Sequence, residues 1–410
     1  MERIIIAGAA TAGLSAAREL RRCGFGGSIV MIDQEHHGPY RRPEVSKGIL
    51  DGHLDADGIR IRWPEDLELE RIDGHRIVAA ELGRRTVTCQ AGSRTVQLPY
   101  DGLVIATGST ARRSPLTGPK EGVLSLRSLD DGVRLRQALR EARCIVLVGG
   151  GFIGLEVAAV ARTLGLEVHV VEAAELPLGT VLGRRFAHHL AGLHRDRGVN
   201  IHCGVTVTSV DGAGRVEGVT LSDGRRLPAD IVVVSVGSTP AVGWLGGSGV
   251  DISDGIQCDR TCAMIGQDGV VAAGDIASWY NPLYERRMRV EHWTNAIEQG
   301  MYAAQRLLGV HDPQGFASAP YFWSDQYGMR LQSIGSASGH DEAEVLLEDG
   351  ERLVVAYGAA GRLVCIAGLH SGAMVMSYRS MITQRTSMDD VRAKAGWSAG
   401  PAASPLVRDA

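Results

Sequence analysis

Cys144-Ile145-Val146-Leu147-Val148 runs straight into Gly149-Gly150-Gly151-Phe152-Ile153-Gly154. The apolar run reads as a short buried strand, and the glycines fit the G-x-G-x-x-G spacing that joins such a strand to a helix. Gly149 permits the tight turn, Gly151 lets a pyrophosphate approach the backbone, and Gly154 lets helix and strand pack closely. The helix N-terminus adds N–H donors and a favourable dipole, so Phe152 and Ile153 fall in a nucleotide-binding turn. The helix is expected to reach about Leu164, and the next strand to cover Glu167 to Glu172. Glu172 then stands where a carboxylate accepts from ribose hydroxyls and repels a 2′-phosphate. Ala173-Ala174 offers no arginine to receive such a phosphate, which favours NADH over NADPH.

The same pattern occurs about 140 residues earlier. Ile4 to Gly8 reads as a buried strand, Ala12 to Arg22 as a helix and Ser28 to Asp33 as a second strand. Gly8 and Gly13 occupy the outer glycine positions, Ala10 replaces the middle one, and Asp33 is the matching acid. Leu103-Val104-Ile105-Ala106-Thr107-Gly108 is paralleled by Ile231 to Val236 ending in Gly237. The repeat predicts an α/β fold with two Rossmann-like, doubly wound domains. Either the two halves bind two different dinucleotides, or one of them is a degenerate duplicate. After Val271-Ala272-Ala273-Gly274-Asp275 comes a helix expected over Thr294 to Leu308. From about Ala319 the pattern changes to short alternating strands, such as Arg352 to Tyr357 and Leu363 to Leu369, which predict a third, α+β piece. The last ten or so residues, rich in Ala, Pro and Ser, are expected to fray.

Bulk properties narrow the function classes. Glycine supplies 53 of 410 residues, well above the usual share of roughly 7%, as expected of a chain full of tight turns or close backbone approaches to a ligand. A net charge of −4 gives no reason to expect nucleic acid or a membrane surface. No apolar stretch approaches the roughly 20 residues of a membrane span, and no secretory leader is read at the N-terminus. Seven cysteines at irregular spacing do not form a disulfide framework. A cytoplasmic protein is expected, and monomer and homodimer both remain open. Lys47, Lys120 and Lys394 are the only lysines, so a lysine inside a motif stands out.

Gly8-x4-Gly13, Pro39-Tyr40-Arg41-Arg42-Pro43 leading to Ser46-Lys47, and Ala106-Thr107-Gly108 resemble the FAD half of the pyridine nucleotide-disulfide oxidoreductase superfamily. Gly149 to Glu156 and Ala273-Gly274-Asp275 extend the match. Glu291-His292-Trp293-x-Asn295-Ala296 and Pro320-Tyr321-Phe322-Trp323-Ser324-Asp325-Gln326 are similar to the ferredoxin reductases that serve bacterial oxygenases and cytochromes P450. The similarity covers about residues 2 to 390. It implies an FAD-binding domain made of 1–112 and 240–318, an NAD-binding domain at 113–239, a C-terminal domain at 319–400 and a tail at 401–410.

The resemblance also implies roles for single residues. Asp275 is the acid that binds the FAD ribitol, and Gly274 lets the chain pass close to the cofactor. Ala10, Ala12, Arg42, Lys47, Val78, Arg127, His292 and Trp293 fall at positions around FAD, with Trp293 near the flavin ring. Glu156 falls near the nicotinamide. From chemistry alone, Lys47 can supply the cation that a flavin gaining charge benefits from, and a carboxylate such as Glu156 can pair with it.

Cysteine placement argues against two chemistries. The disulfide-reducing and peroxide- or oxygen-reducing relatives carry cysteines at the flavin, but none lies between Cys23 and Cys89. Cys258 and Cys262 lack the four ligands of a zinc site and read as buried thiols, and no metal is expected. With no second redox centre in the chain, hydride from NADH is expected to pass to FAD. Single electrons then go to an outside carrier, a [2Fe-2S] ferredoxin supplying a cytochrome P450 or ring-hydroxylating oxygenase. A rubredoxin or nitrite reductase partner, an NADH oxidase and a redox-sensing NADH-binding flavoprotein are the alternatives.

Overall fold

The computed structural model describes residues 1–64, 67–112 and 116–396. The expected tail at 401–410 lies outside the described residues, as do 113–115, where the first domain boundary is expected to fall. Two parallel five-stranded sheets form the body. In the first, the order is Val270–Ala272, Gly102–Ile105, Arg3–Ala7, Ser28–Ile32, Glu70–Ile72. In the second it is Val199–Cys203, Glu167–Glu172, Cys144–Val148, Ile231–Val234, Val123–Ser125.

Traversed from opposite edges, the two orders coincide strand for strand. The outermost strand differs in origin: Val270–Ala272 follows the second sheet in sequence, whereas Val123–Ser125 precedes the rest of its own. The second half is therefore inserted into the first. Each half also carries a three-stranded antiparallel meander, Arg76–Glu81 to Arg94–Pro99 in one and Val207–Asp211 to Arg226–Pro228 in the other. The two passages between the halves, Ser109–Ala111 and Ser238–Pro240, pair with each other.

The central strands are continuous apolar runs because both faces are covered. In the second half Ile145 and Leu147 pack against helices, and Val146 and Val148 against Val210 and Val219 of the meander. Every residue of Cys144–Val148 is buried, and its glycine turn leads into the helix Phe152–Thr163. The first half repeats this with Arg3–Ala7 and the helix Thr11–Arg22. A second helix, Trp293–Leu308, packs beside Thr11–Arg22, begins one residue earlier than its apolar pattern suggests, and has His292 at its N-cap.

The C-terminal piece is an antiparallel sheet in the order Tyr321–Gln326, Met329–Gly335, Arg362–Leu369, Arg352–Ala359, Glu342–Asp349. Alternate residues of Arg352–Ala359 point to opposite faces. Leu353, Val355 and Tyr357 join the core of the second half, while Val354 and Ala356 pack with Val375, Ile382 and Val391 of the terminal helices. The sheet is thereby seated on the helix Gly179–Asp196, and the Tyr357 hydroxyl donates to the Leu182 carbonyl in that helix. Among the described residues no helix is long and apolar enough to cross a membrane.

Candidate functional site

Both glycine turns lie at the carboxyl ends of their strands, the usual ligand side of an open α/β sheet. Gly8 has φ +106° and Gly149 φ +105°; a Cβ on either would lie 2.3 Å from a carbonyl oxygen, that of Ala106 or of Ser235. A Cβ on Gly13 or Gly154 would collide with the carbonyl of Gly8 or Gly149. These four glycines are required by the protein's own packing. Gly151 is different, because a Cβ there meets no protein atom within 4 Å. The fold therefore accepts a methyl at that position, which is where the first half carries Ala10.

The acids also correspond. Asp33 accepts from the amides of Ala9 (2.7 Å) and Glu35 (2.9 Å), and Glu172 accepts from Gly150 (2.7 Å) and Ala174 (2.8 Å). Each carboxylate thus fastens its glycine turn with one oxygen, beyond any part it plays toward a ribose. Desolvation raises the Asp33 carboxyl above its ordinary range, against the pull of its two backbone donors.

A single cavity of about 1470 Å³ runs from the first turn to the second. That exceeds the roughly 300–1,000 Å³ of a pocket for one drug-sized ligand. Gly8, Ala10, Ala12 and Asp33 line one end, and Ala106, Thr107 and Gly108 continue the wall with Gly274 and Asp275. Gly151, Phe152, Ile153 and Gly237 form the edge from the second half. Gly13, Gly149, Gly154 and Glu172 stand behind or outside the wall. Val78 is not in the wall either: it is the unpaired residue of a bulge between Ile77 and Ala79, and its neighbours Arg76 and Ile77 face the cavity instead.

Charged groups are paired along the wall. The Arg127 guanidinium holds Asp275 at 2.5 Å and donates to the Ser109 carbonyl, while the Ser109 hydroxyl donates to the same Asp275 oxygen. Arg42 pairs with Glu35 at 2.7 Å and donates to the Arg127 carbonyl. In the middle, Lys47 of the first half meets Glu156 of the second at 2.8 Å, with side chains only 12% and 4% exposed. Ser46 and Ser324 also donate to that carboxylate. The aromatic side of the cavity holds His292, Trp293, Phe322 and Trp323, with Phe322 4.5 Å from Phe152 and 5.0 Å from His292 between ring centres. Burial pushes the His292 imidazole down to about 4.

The wall suits a flavin dinucleotide. His292 Nδ1 is buried with no hydrogen-bond partner in the protein. The helix Thr11–Arg22 opens on the cavity at Thr11 and Ala12 without a side-chain cap, which leaves first-turn amides for a pyrophosphate. No cysteine lines the cavity among the described residues. Cys258 and Cys262 are buried and free; desolvation pushes the Cys258 thiol up to about 12 and raises that of Cys262. One grouping with metal-ligand chemistry lies elsewhere, at Cys144, Glu167 and His169. Its members already have partners, since His169 bridges Glu167 and His202 and Cys144 faces the Pro228 carbonyl.

Residues 2–300 match the family model described as pyridine nucleotide-disulphide oxidoreductase, and 321–395 match a reductase C-terminal model. The chain belongs to the pyridine nucleotide-disulphide oxidoreductase family. Within that family it is 34% identical over 394 residues to the 5,5′-dehydrodivanillate O-demethylase ferredoxin reductase subunit of Sphingobium, covering 94% of each chain. It is 34% identical over 404 residues to the p-cumate 2,3-dioxygenase system ferredoxin–NAD(+) reductase component of Pseudomonas putida, covering 96% of each. Among solved structures it is similar to the ferredoxin reductase for the CYP199A2 system of Rhodopseudomonas palustris. That match has 33% identity and TM-score 0.89 over 94% of this chain and 96% of the other.

Ser46, Ser109, Ser324 and Glu35 hold the charged groups of this oxidoreductase and were given no role by sequence reasoning. Ser46 and Ser324 lie inside quoted motifs, so a signal was present. Their shared acceptor, Glu156, is 110 and 168 residues away.

Proposed function

We propose that the chain is an NADH-dependent ferredoxin reductase, with FAD held by 1–112 and 240–318, NADH received by 113–239, and 319–400 closing the site. FAD bound in the cavity would accept a hydride's two electrons and give them up singly to a one-electron carrier. The observation that carries the reading is the Lys47–Glu156 pair, contributed by the two halves and set in the cavity wall without a cysteine. Gly8, Ala10 and Asp33 would hold the FAD pyrophosphate and ribose, Asp275 the ribitol, and Trp293 and His292 the ring. Glu172 and the Gly149–Gly154 turn would receive NADH. Lys47 keeps a cation beside the cavity, and Glu156 fixes that cation by a desolvated pair. Positioning of this kind lowers the barrier without proton transfer to the substrate.

The carrier is a [2Fe-2S] ferredoxin feeding a cytochrome P450 or ring-hydroxylating oxygenase. This is supported by relatives named as ferredoxin reductases of oxygenase systems. It is also supported by similarity to a putidaredoxin reductase solved in covalent complex with putidaredoxin, at 29% identity and TM-score 0.88 over 94% of this chain. A cytoplasmic setting fits these soluble partners. The test is to reduce the FAD-loaded protein with NADH and mix it with a [2Fe-2S] ferredoxin, a rubredoxin or oxygen. Ferredoxin reduction is expected to be the fastest by about 100-fold or more, a gap of ~2.7 kcal/mol in barrier. Oxygen or rubredoxin as the preferred acceptor would overturn the reading.

A further inference from the structure

Glu156 is also the end of a row of buried hydrogen bonds that leaves the cavity. Ser324 donates to Glu156 Oε1 at 2.6 Å, Gln326 Nε2 donates to Ser324 Oγ at 3.0 Å, and His194 Nε2 lies 2.7 Å from Gln326 Oε1. The Tyr327 hydroxyl lies 3.0 Å from His194 Nδ1. Ser324, Gln326 and His194 are 1%, 2% and 0% exposed, so water does not compete for the three bonds that run from Glu156 to His194. The row ends at Tyr327, half-buried beneath the Arg197 guanidinium, which pairs with Glu351 at 2.6 Å.

The carboxylate fixes the direction of every link. An ionised carboxylate only accepts, so Ser324 donates to it and accepts from the Gln326 amide nitrogen. The Gln326 carbonyl then faces His194 and requires a hydrogen on Nε2. A neutral imidazole with its hydrogen on Nε2 presents Nδ1 as an acceptor, and Tyr327 supplies the donor. Burial pushes His194 down to about 4, which keeps it neutral, and its two partners select this tautomer. Donors aligned in series polarise one another, and the row ties together three parts of the chain. Lys47 and Glu156 come from the two halves, His194 from the helix Gly179–Asp196, and Ser324 with Gln326 from the C-terminal strand Tyr321–Gln326.

We propose that His194 is a positioning residue for the Lys47–Glu156 pair, acting through Gln326 and Ser324 to hold the Glu156 carboxylate, and with it the Lys47 ammonium, in one place beside the cavity. The kinetic part of this inference rests on the ferredoxin-reductase reading; the structural part does not. In FAD-loaded full-length protein labelled with ¹⁵N-histidine, NMR should find His194 as the neutral Nε2–H tautomer. Ser324→Ala and Glu156→Gln should each move its nitrogen signals, and signals unmoved by both variants would overturn the proposal.

In anaerobic stopped-flow with NADH, His194→Leu should slow the limiting rate of flavin bleaching about 10-fold with NADH affinity unchanged. That is less than the hundredfold loss of a 1 Å misplacement. His194→Gln, whose amide nitrogen can take the place of Nε2, should recover most of the rate. A His194→Leu protein that melts and reacts like the unmodified chain, or a His194→Gln protein as slow as His194→Leu, would overturn it. If His194→Leu does not fold, Ser324→Ala carries the same kinetic expectation, and an unchanged rate there counts against the proposal. Unmodified protein that NADH does not bleach would refute the reductase reading and leave the NMR result to judge the hydrogen-bond row.

Discussion

The two glycine turns share almost every protein–protein contact and differ in what surrounds them. Gly8 and Gly149 have the same φ within a degree and the same blocked Cβ direction, and Asp33 and Glu172 clip equivalent amides. Asp33 nevertheless lies in the wall of the cavity, desolvated, whereas Glu172 lies outside it. A ligand on the first turn would be enclosed by both halves and by Arg127, Asp275 and His292. Of the second turn only Gly151, Phe152 and Ile153 reach the cavity, while Gly149, Gly154 and Glu172 do not. The duplicated scaffold thus supplies one site suited to a retained cofactor and one suited to an exchanging one.

The sharpest break of this comparison is a pair of substitutions. Gly8→Ala and Gly149→Ala each force a Cβ against a carbonyl at 2.3 Å and add about 1–2 kcal/mol of backbone strain. Gly8→Ala is expected to purify without FAD. Gly149→Ala should keep its yellow colour and lose at least about tenfold in NADH affinity, a change of ~1.4 kcal/mol. Flavin absorbance per protein and an NADH titration separate the two.

Next in size is the pair that joins the halves. Lys47→Met leaves the Glu156 carboxylate buried without its cation, an expected loss of about 3–5 kcal/mol. Lys47→Met with Glu156→Gln should recover more than half of that in urea melts, yet remain slow toward NADH. Equal stability of the single and double variants would show that the pair does not couple the halves.

Each half also holds one histidine pushed down to about 4, His292 beside the cavity and His194 away from it. Folding such a residue releases its proton between about pH 6.5, its unfolded value, and about pH 4. The unfolded chain binds more protons in that window, so stability falls as pH falls through it. For fully buried His194 the loss is on the order of 3 kcal/mol, and the slope of stability against pH should flatten in His194→Gln.

Glu172→Ala with Ala173→Arg should shift preference toward NADPH by about tenfold or more, ~1.4 kcal/mol. It should also cost about 1 kcal/mol of stability, because the Gly150 and Ala174 amides lose their acceptor. An unchanged coenzyme ratio would remove Glu172 from the ribose site. Smallest of all, Gly151→Ala meets no protein atom and should leave the melting temperature unchanged, any effect being confined to NADH affinity.

Legibility in the sequence followed the range of the interaction. Cys144–Val148 and Glu167–Glu172 begin and end where the apolar run and its flanking turns say they should, because continuous burial and local turn chemistry are written in neighbouring residues. The turn at Ala10 was legible as a departure, but its harmlessness to the fold required the open space beside Gly151. Val78 sits at a bulge, and one extra residue in a strand changes which side chains face the cavity. Nothing near Ser324 announces that its hydroxyl reaches Glu156, and nothing near Glu35 announces that it holds Arg42. Those contacts depend on how the sheets are placed, which no local period encodes.

The central claim is that one turn retains FAD and the other receives NADH, and anaerobic titration of the FAD-loaded protein tests it most directly. About one equivalent of NADH should bleach the flavin absorbance, with NADPH at least tenfold less effective. Flavin that stays oxidised in excess NADH would contradict the account.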